Sequence, residues 1–296
     1  LTLMNGLVGW WKFDETNGTV AYDSSGNGND GNLTNGPAWT AGKIGGALSF
    51  DGVDDFVHVN NFEWGGEITV ATFVKYLTLR KARIIDFGNG VDADNVLLGS
   101  DQSSVNTLVF HIRRGSGSSA QGPNQTNFLY VGDWLHIVAT INDQNQATLY
   151  RNGKIIDTSS AWTPSTVFRS KQYIAKSNWN EEYLNALIDD LRIYDRALSV
   201  VEVKALYELG QQPVQENGSG MTTVFNGTLS DGSVTASKMA DGAITPSKIA
   251  TNSITTSQLN EQILKYLKPE ITAQPQAQTV YADSNVSYSV SAEGKY

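Results

Sequence analysis

Carboxylates gather at two places in this 296-residue chain. Asp51, Asp54 and Asp55 surround Gly52, and Asp189 and Asp190 stand side by side inside an apolar run. Converging oxygens at about 2.4 Å hold a hard cation such as calcium. Two carboxyl groups about 5 Å apart instead hydrolyse a glycosidic bond with retention. The spacing argues for the first chemistry. Adjacent residues on a strand face opposite sides, so Asp189 and Asp190 do not project together, and Glu181-Glu182 falls in a loop. Calcium is therefore the expected ion, held by Asp51 with Asp54 or Asp55 and by an acid from a neighbouring strand, Asp189 or Asp190. The competing reading makes Asp51 an Asx-turn residue and gives Asp189 backbone amides to bond.

Other candidates are weaker. Asp92-Ala93-Asp94-Asn95 opens like a calcium loop, but Leu97 stands where the loop needs glycine and Ser103 where it needs glutamate, which excludes an EF-hand. The residues from Asp23 to Gly31 read as a multiple turn. His58, His111 and His136 sit in apolar stretches, and no serine nucleophile has a recognisable setting. Sugar binding needs aromatic faces flanked by polar side chains. Trp64, Trp162 and Trp179 lie near turn-rich stretches, and Trp179 beside Asn178 has the most suitable polar company; each could equally be a loop anchor. Sequons at Asn17, Asn32, Asn124, Asn217, Asn226 and Asn285 are what chance yields in a chain rich in Asn and Thr.

Composition narrows the class. A net charge of -9 and a pI near 4.8 exclude a basic nucleic-acid surface. The chain has no cysteine, which rules out disulfides and cysteine-ligated zinc. No run approaches the ~20 apolar residues of a membrane-spanning helix.

The elements that must position these residues are strands. Short apolar runs separated by turns recur from Gly6 to about Leu209. Gly45–Asp51 and Phe56–Val59 read as two strands joined by the acidic turn, and Asn152-Gly153 joins two more. This pattern predicts an all-β, two-sheet antiparallel sandwich. One helix follows, with Ser199 and Glu202 as a capping box, Ala205, Leu206 and Leu209 as its apolar face and Gly210 as its stop; it is expected against the sandwich edge.

Trp11-Lys12-Phe13-Asp14-Glu15, Gly42-Lys43-Ile44-Gly45-Gly46-Ala47-Leu48-Ser49-Phe50-Asp51-Gly52, Trp134-Leu135-His136-Ile137-Val138-Ala139 and Ile188-Asp189-Asp190-Leu191-Arg192-Ile193-Tyr194-Asp195-Arg196-Ala197-Leu198-Ser199 occur in that order. Together they resemble the LamG-like jelly roll of the concanavalin A-like lectin/glucanase superfamily over residues 6–209. The resemblance implies two large sheets, a concave face and an extracellular binding role often directed at glycans. It also implies that the acidic turn and the Asp189-Asp190 strand come close together, and that Trp11, Phe13 and Trp134 are core. Glucanases of this superfold carry Glu-x-Asp-x-Glu or Glu-x-Asp-x-x-Glu on one strand, and no stretch here matches.

Beyond Gly210 the composition changes. Residues 211–230 read as a flexible polar linker. Residues 231–260 hold three decapeptides with apolar residues at the fourth and ninth positions, Val234/Met239, Ile244/Ile249 and Ile254/Leu259, followed by a short helix to 268. Such repeats cannot bury their apolar pairs alone. They resemble stalk segments of phage tail-fibre-like and bacterial surface proteins, which implies self-association as a homo-oligomer, a trimer. Residues 269–296 resemble the opening strands of an immunoglobulin-like domain. The expectation is a non-catalytic, extracellular or cell-surface bacterial module, residues 1–210, that binds a glycan or a surface or matrix protein and is braced by calcium. The alternatives are a structural spacer in a fibre protein and a divergent glycoside hydrolase.

Overall fold

The computed structural model describes residues 3–100, 104–211 and 270–293. The chain divides into two compact units, Leu1–Val224 and Phe225–Tyr296. The linker, decapeptide repeats and short helix expected over 211–268 lie outside the described residues apart from Gln211. In the second unit the described backbone forms one antiparallel pair, Glu270–Ala273 with Ser291–Glu293.

The first unit is built from β1 (Leu7–Trp11), β2 (Val20–Ala21), β3 (Gly31–Thr34), β4 (Ala38–Ala41), β5 (Gly46–Asp51), β6 (Phe56–Val59), β7 (Phe62–Trp64), β8 (Ile68–Tyr76) and β9 (Arg83–Gly88). These are followed by β10 (Val96–Ser100), β11 (Leu108–Ile112), β12 (Asn124–Gln125), β13 (Leu135–Ile141), β14 (Gln146–Arg151), β15 (Lys154–Ser160), β16 (Val167–Arg169), β17 (Lys171–Ile174), β18 (Asn185–Tyr194) and the helix α1 (Val200–Leu209). The first sheet runs β15-β14-β13-β8-β18-β5-β4, with β1 also on β18, and the second runs β12-β11-β10-β9-β17-β6-β3-β2. The result is the expected jelly-roll sandwich. Half of the pairings, β8 with β13 and β18, β18 with β1 and β5, β17 with β6 and β9, and β3 with β6, join strands that are not consecutive, and there register is fixed by burial rather than by turns. One local turn does fix its hairpin: Asn152 and Gly153 both take positive φ, 54° and 75°, between β14 and β15.

The core lies between the sheets. Trp11, Phe13, Phe50, Phe87 and Phe110 are fully buried there with the inward valines and isoleucines of both sheets. Phe87 receives the rings of Trp11, Phe62 and Trp64 edge-on at 6.1–6.2 Å. Trp134 is only partly buried. Below the aromatic group, buried Arg169 donates to the backbone carbonyls of Trp64, Asp94 and Ser165, tying β7 and β16 to the loop before β10.

The helix starts as its sequence dictates. The Ser199 side chain accepts from the Glu202 amide and Glu202 reaches back to the Ser199 amide, while Arg196 grips the Glu202 carboxylate at 2.8 and 3.0 Å. The buried positions are Val203 and Leu206, with Leu209 partly covered and Ala205 at the margin. They pack with Leu7, Ala71, Val138, Tyr150, Tyr194 and Leu198. The helix therefore covers the outer face of the first sheet rather than an edge, because alternate residues of β8, β13 and β18 present a second apolar surface there.

Candidate functional site

Among the described residues, no helix packs on the outer face of the second sheet. Its side chains follow from the pairing, since residues directly opposite in a ladder share a face. Asn32 stands opposite His58, His58 opposite Tyr173, Tyr173 opposite Asp86, Asp86 opposite Leu97 and Leu97 opposite His111. The inward row is apolar throughout: Leu33, Val57, Ile174, Ile85, Leu98 and Phe110.

The outward row is divided into two halves by a loop. Asp86 is fully buried beneath residues 177–178: it accepts from the Asn178 amide at 2.7 Å and from Asn95 Nδ2 at 2.9 Å. Burial raises its pKa, against these donors and Arg83. Over the other half, on β3, β6 and β17, the side chains remain half-buried and open. The Phe56 ring meets Tyr173 edge-on at 5.6 Å and Tyr183 at 6.3 Å, and His58 lies 5.2 Å from Tyr173. His58 Nε2 is buried and has no hydrogen-bond partner among the described residues. Lys176 places its ammonium 4.0 Å from the centre of the Phe56 ring and 4.7 Å from that of Tyr173. A cluster of three aromatic rings, an imidazole with an unused nitrogen and a cation has the makings of a stacking platform with hydrogen-bonding edges.

The acidic turn adjoins this platform, because Asp55 directly precedes Phe56. The carboxylates of Asp51, Asp54 and Asp55 lie within 4.8 Å of one another, the first two exposed and Asp55 buried. Burial raises the Asp55 pKa, and Asp51 and Asp54 add to that through charge repulsion. Part of the cluster serves the turn itself: Asp51 Oδ1 accepts from the Val53 amide at 2.7 Å, Asp55 Oδ2 from the Asp51 amide at 3.0 Å, and Arg80 donates to the Gly52 carbonyl at 2.7 Å. The Asx-turn reading of Asp51 thus holds, and an all-oxygen donor set of this spacing also suits calcium.

Asp189 and Asp190 do not join that cluster. Asn185 is the partner of Asp51 in the β5–β18 ladder, which leaves Asp189 four residues further along, about 13 Å at the rise of a strand. Asp189 Oδ2 instead accepts the amides of Lys43 and Ile44, both at 2.7 Å. Burial pushes Asp189 up to about 8, with Asp190 and Asp14 adding to the rise and the two amides opposing it. A side chain on Gly42 would strike this carboxylate and the Gly46 carbonyl, so the glycines are what let the loop close on it. Asp190, at a bulge with φ of 49°, accepts from Trp10 Nε1 and pairs with Arg192 at 3.1 Å. Both acids are therefore structural, and the expectation that they complete the calcium site is corrected.

Of the tryptophans, Trp64 needs similar correction. Trp64 is 2% exposed, and its indole N–H donates to the Tyr194 carbonyl, so it is core. Trp162 packs partly against the core with the Arg114 guanidinium over its ring at 5.8 Å, and Trp179 lies under Arg113 at 5.2 Å. Asn178 spends its amide nitrogen on the carbonyls of Asp86 and Lys171. Trp162 and Trp179 stay half-buried, in places that suit a loop anchor as well as a ligand contact. In the loop 92–95, Asp92 pairs with Arg113 and Asp94 accepts from the Gly115 amide. Asp23 takes hydrogen bonds from Trp10, Ser25 and Asn29, as a multiple turn requires. The residues of the platform, Phe56, His58, Tyr173, Lys176 and Tyr183, were not singled out as ligand-binding from sequence. The alternation Val57-His58-Val59 is a signal for the outward position of His58, whereas Lys171-Gln172-Tyr173-Ile174 turns its polar Gln172 inward and Lys176 and Tyr183 lie in a loop, so no alternation marks those three.

Residues 50–204 match the family model described as the concanavalin A-like lectin/glucanases superfamily. No curated protein matches the chain. Among solved structures, the binding domain of Paraclostridial mosquitocidal protein 1 is 18% identical at a TM-score of 0.50, over 70% of this chain and 52% of that one. Domain 4 of AbnA, a GH43 extracellular arabinanase from Geobacillus stearothermophilus, solved in complex with arabinotriose, is 19% identical at a TM-score of 0.50, over 68% of this chain and 98% of that one. The chain thus spans about half the length of the first and nearly all of the second, and at these identities the likeness is one of fold. The family match covers more than half of the chain and the sheets have the matching architecture: this protein belongs to the concanavalin A-like lectin/glucanases superfamily.

Proposed function

We propose that this chain is a non-catalytic binding module that takes carbohydrate on the open half of its second sheet. One observation carries the reading. Phe56 and Tyr173, with Tyr183 from the loop before β18, keep their rings half-buried on a sheet face that no helix covers among the described residues, beside a His58 nitrogen that has no partner among them. Rings in such a place stack on the C–H face of a sugar while neighbouring polar atoms bond its hydroxyls. The arabinotriose held by the arabinanase domain of similar fold is in keeping with this. Binding is favoured over hydrolysis because Asp86, Asp189, Asp190 and Glu181 are each engaged by amides or guanidinium groups.

Calcium is the proposed brace of the rim, held by Asp51, Asp54 and Asp55; bound there it would neutralise three mutually repelling carboxylates next to the platform. The setting in this reading is extracellular or on a cell surface, with a glycan or a surface or matrix protein as partner, and with self-association through residues 231–268. A glycan array probed with the whole chain tests the central point. Retention of at least one glycan family is expected, and no signal from a folded sample would overturn the reading. Melting with calcium and then with a chelator tests the brace: a midpoint several degrees higher with calcium is expected, and an unchanged midpoint would remove the ion.

A further inference from the structure

Lys176 is an unusual occupant for a sugar-stacking platform. Its ammonium stands close to the rings of Phe56 and Tyr173, and among the described residues it forms neither an ion pair nor a hydrogen bond. Burial, with Lys171 nearby, lowers its pKa, so the charge is held without a carboxylate to stabilise it. The acids of the neighbouring turn are turned to each other and to backbone amides rather than to Lys176. A neutral pyranose stacking on Phe56 would have to displace the ammonium and forfeit its contact with the rings. An acidic sugar meets it instead: the ring settles on Tyr173 or Tyr183, and the anionic group supplies the partner that the protein withholds. A charge-assisted bond of this kind is stronger than a neutral one.

We infer that the ligand of this face is an acidic glycan, one bearing a carboxylate or sulfate, and that Lys176 is the residue that selects it. The inference rests on the reading of the face as a carbohydrate site and goes beyond it in naming the charge. The test uses the whole chain in calcium-containing buffer, on an array that pairs uronate-, sialic acid- and sulfate-bearing oligosaccharides with their neutral counterparts. Uronates are included both as free acids and as methyl esters.

The expected result is at least tenfold tighter binding of one acidic member than of its neutral partner. That gap should narrow as salt rises from 50 to 500 mM, since exposed charge pairs are screened. Lys176→Gln should erase the preference while leaving the melting midpoint within a few degrees, and Lys176→Arg should retain most of it. Equal binding of acid and ester, or a preference that survives Lys176→Gln, would overturn the inference while leaving a carbohydrate site in place. Binding to no member of either class would overturn both.

Discussion

The two outer faces of this sandwich are built on the same principle and end differently. On the first sheet, the alternate residues Ala71, Val138, Tyr150 and Tyr194 form a second apolar surface, and α1 buries it with Val203 and Leu206. On the second sheet, the equivalent positions are Asn32, His58, Tyr173 and Phe56, and no helix packs there among the described residues. A covered face can be uniformly apolar because it never meets water. An open face that keeps large rings exposes apolar area that folding alone gives no reason to retain. The contrast teaches where to look for a ligand: the face stabilised by its own helix is a structural element, and the face left aromatic without one is the candidate for recognition.

The largest expected effect lies on the covered face. Leu206→Ala should cost about 2–4 kcal/mol of stability, read from denaturant unfolding, because Leu206 is buried on the face of the helix that packs on the sheet. A loss under ~0.5 kcal/mol would mean that the helix contributes little and that the two faces differ less than described.

Next comes the pH dependence of that same face. Phe73 lies 4.6 Å from His136 and Tyr207 5.9 Å; burial, with Arg192 nearby, lowers the His136 pKa to about 3. Below its ordinary value of about 6.5 the unfolded chain takes up a proton that the folded chain refuses, so this group's contribution falls as pH drops from about 6.5 toward 3. Asp189, raised to about 8, has the opposite sign: its contribution is full below about 4 and is lost as pH rises through 8. Comparing wild type with His136→Phe separates the two. The variant should lose less stability between pH 6.5 and 4.5, and parallel profiles would show that His136 takes no part.

A smaller effect is expected at the start of the helix. Ser199→Ala removes one half of the capping box and should cost about 1 kcal/mol, measured by thermal melting. On the open face Tyr173→Ala should cost less than Leu206→Ala, since its ring stays partly in water in the folded protein. A cost as large as that of Leu206→Ala would make the ring a structural element and weaken the contrast.

What could be read from the sequence was local. The Asn152-Gly153 hairpin, the Ser199/Glu202 capping box and the Asp51 turn each depend on residues within a few positions of one another, and each forms as its chemistry dictates. What escaped depends on partners far along the chain. The fate of Asp189 was decided by amides at positions 43 and 44, and the burial of Trp64 by Tyr194 and Phe87. The platform unites Phe56 and His58 with Tyr173, more than a hundred residues later, through a register that a single strand's pattern does not contain. In His58 the ligand-type residue was even visible, but its apolar neighbours Val57 and Val59 suggested a core strand. Its alternation was the better guide.

The most direct test of the open face is a binding titration of one array-positive glycan against three forms of the whole chain. Wild type sets the reference, Tyr173→Ala removes a platform ring, and Phe168→Ala removes a ring that is 59% exposed on β16, away from the platform. The account predicts at least a tenfold loss of affinity for Tyr173→Ala, about 1.4 kcal/mol, and none for Phe168→Ala. Wild-type affinity in Tyr173→Ala would contradict it.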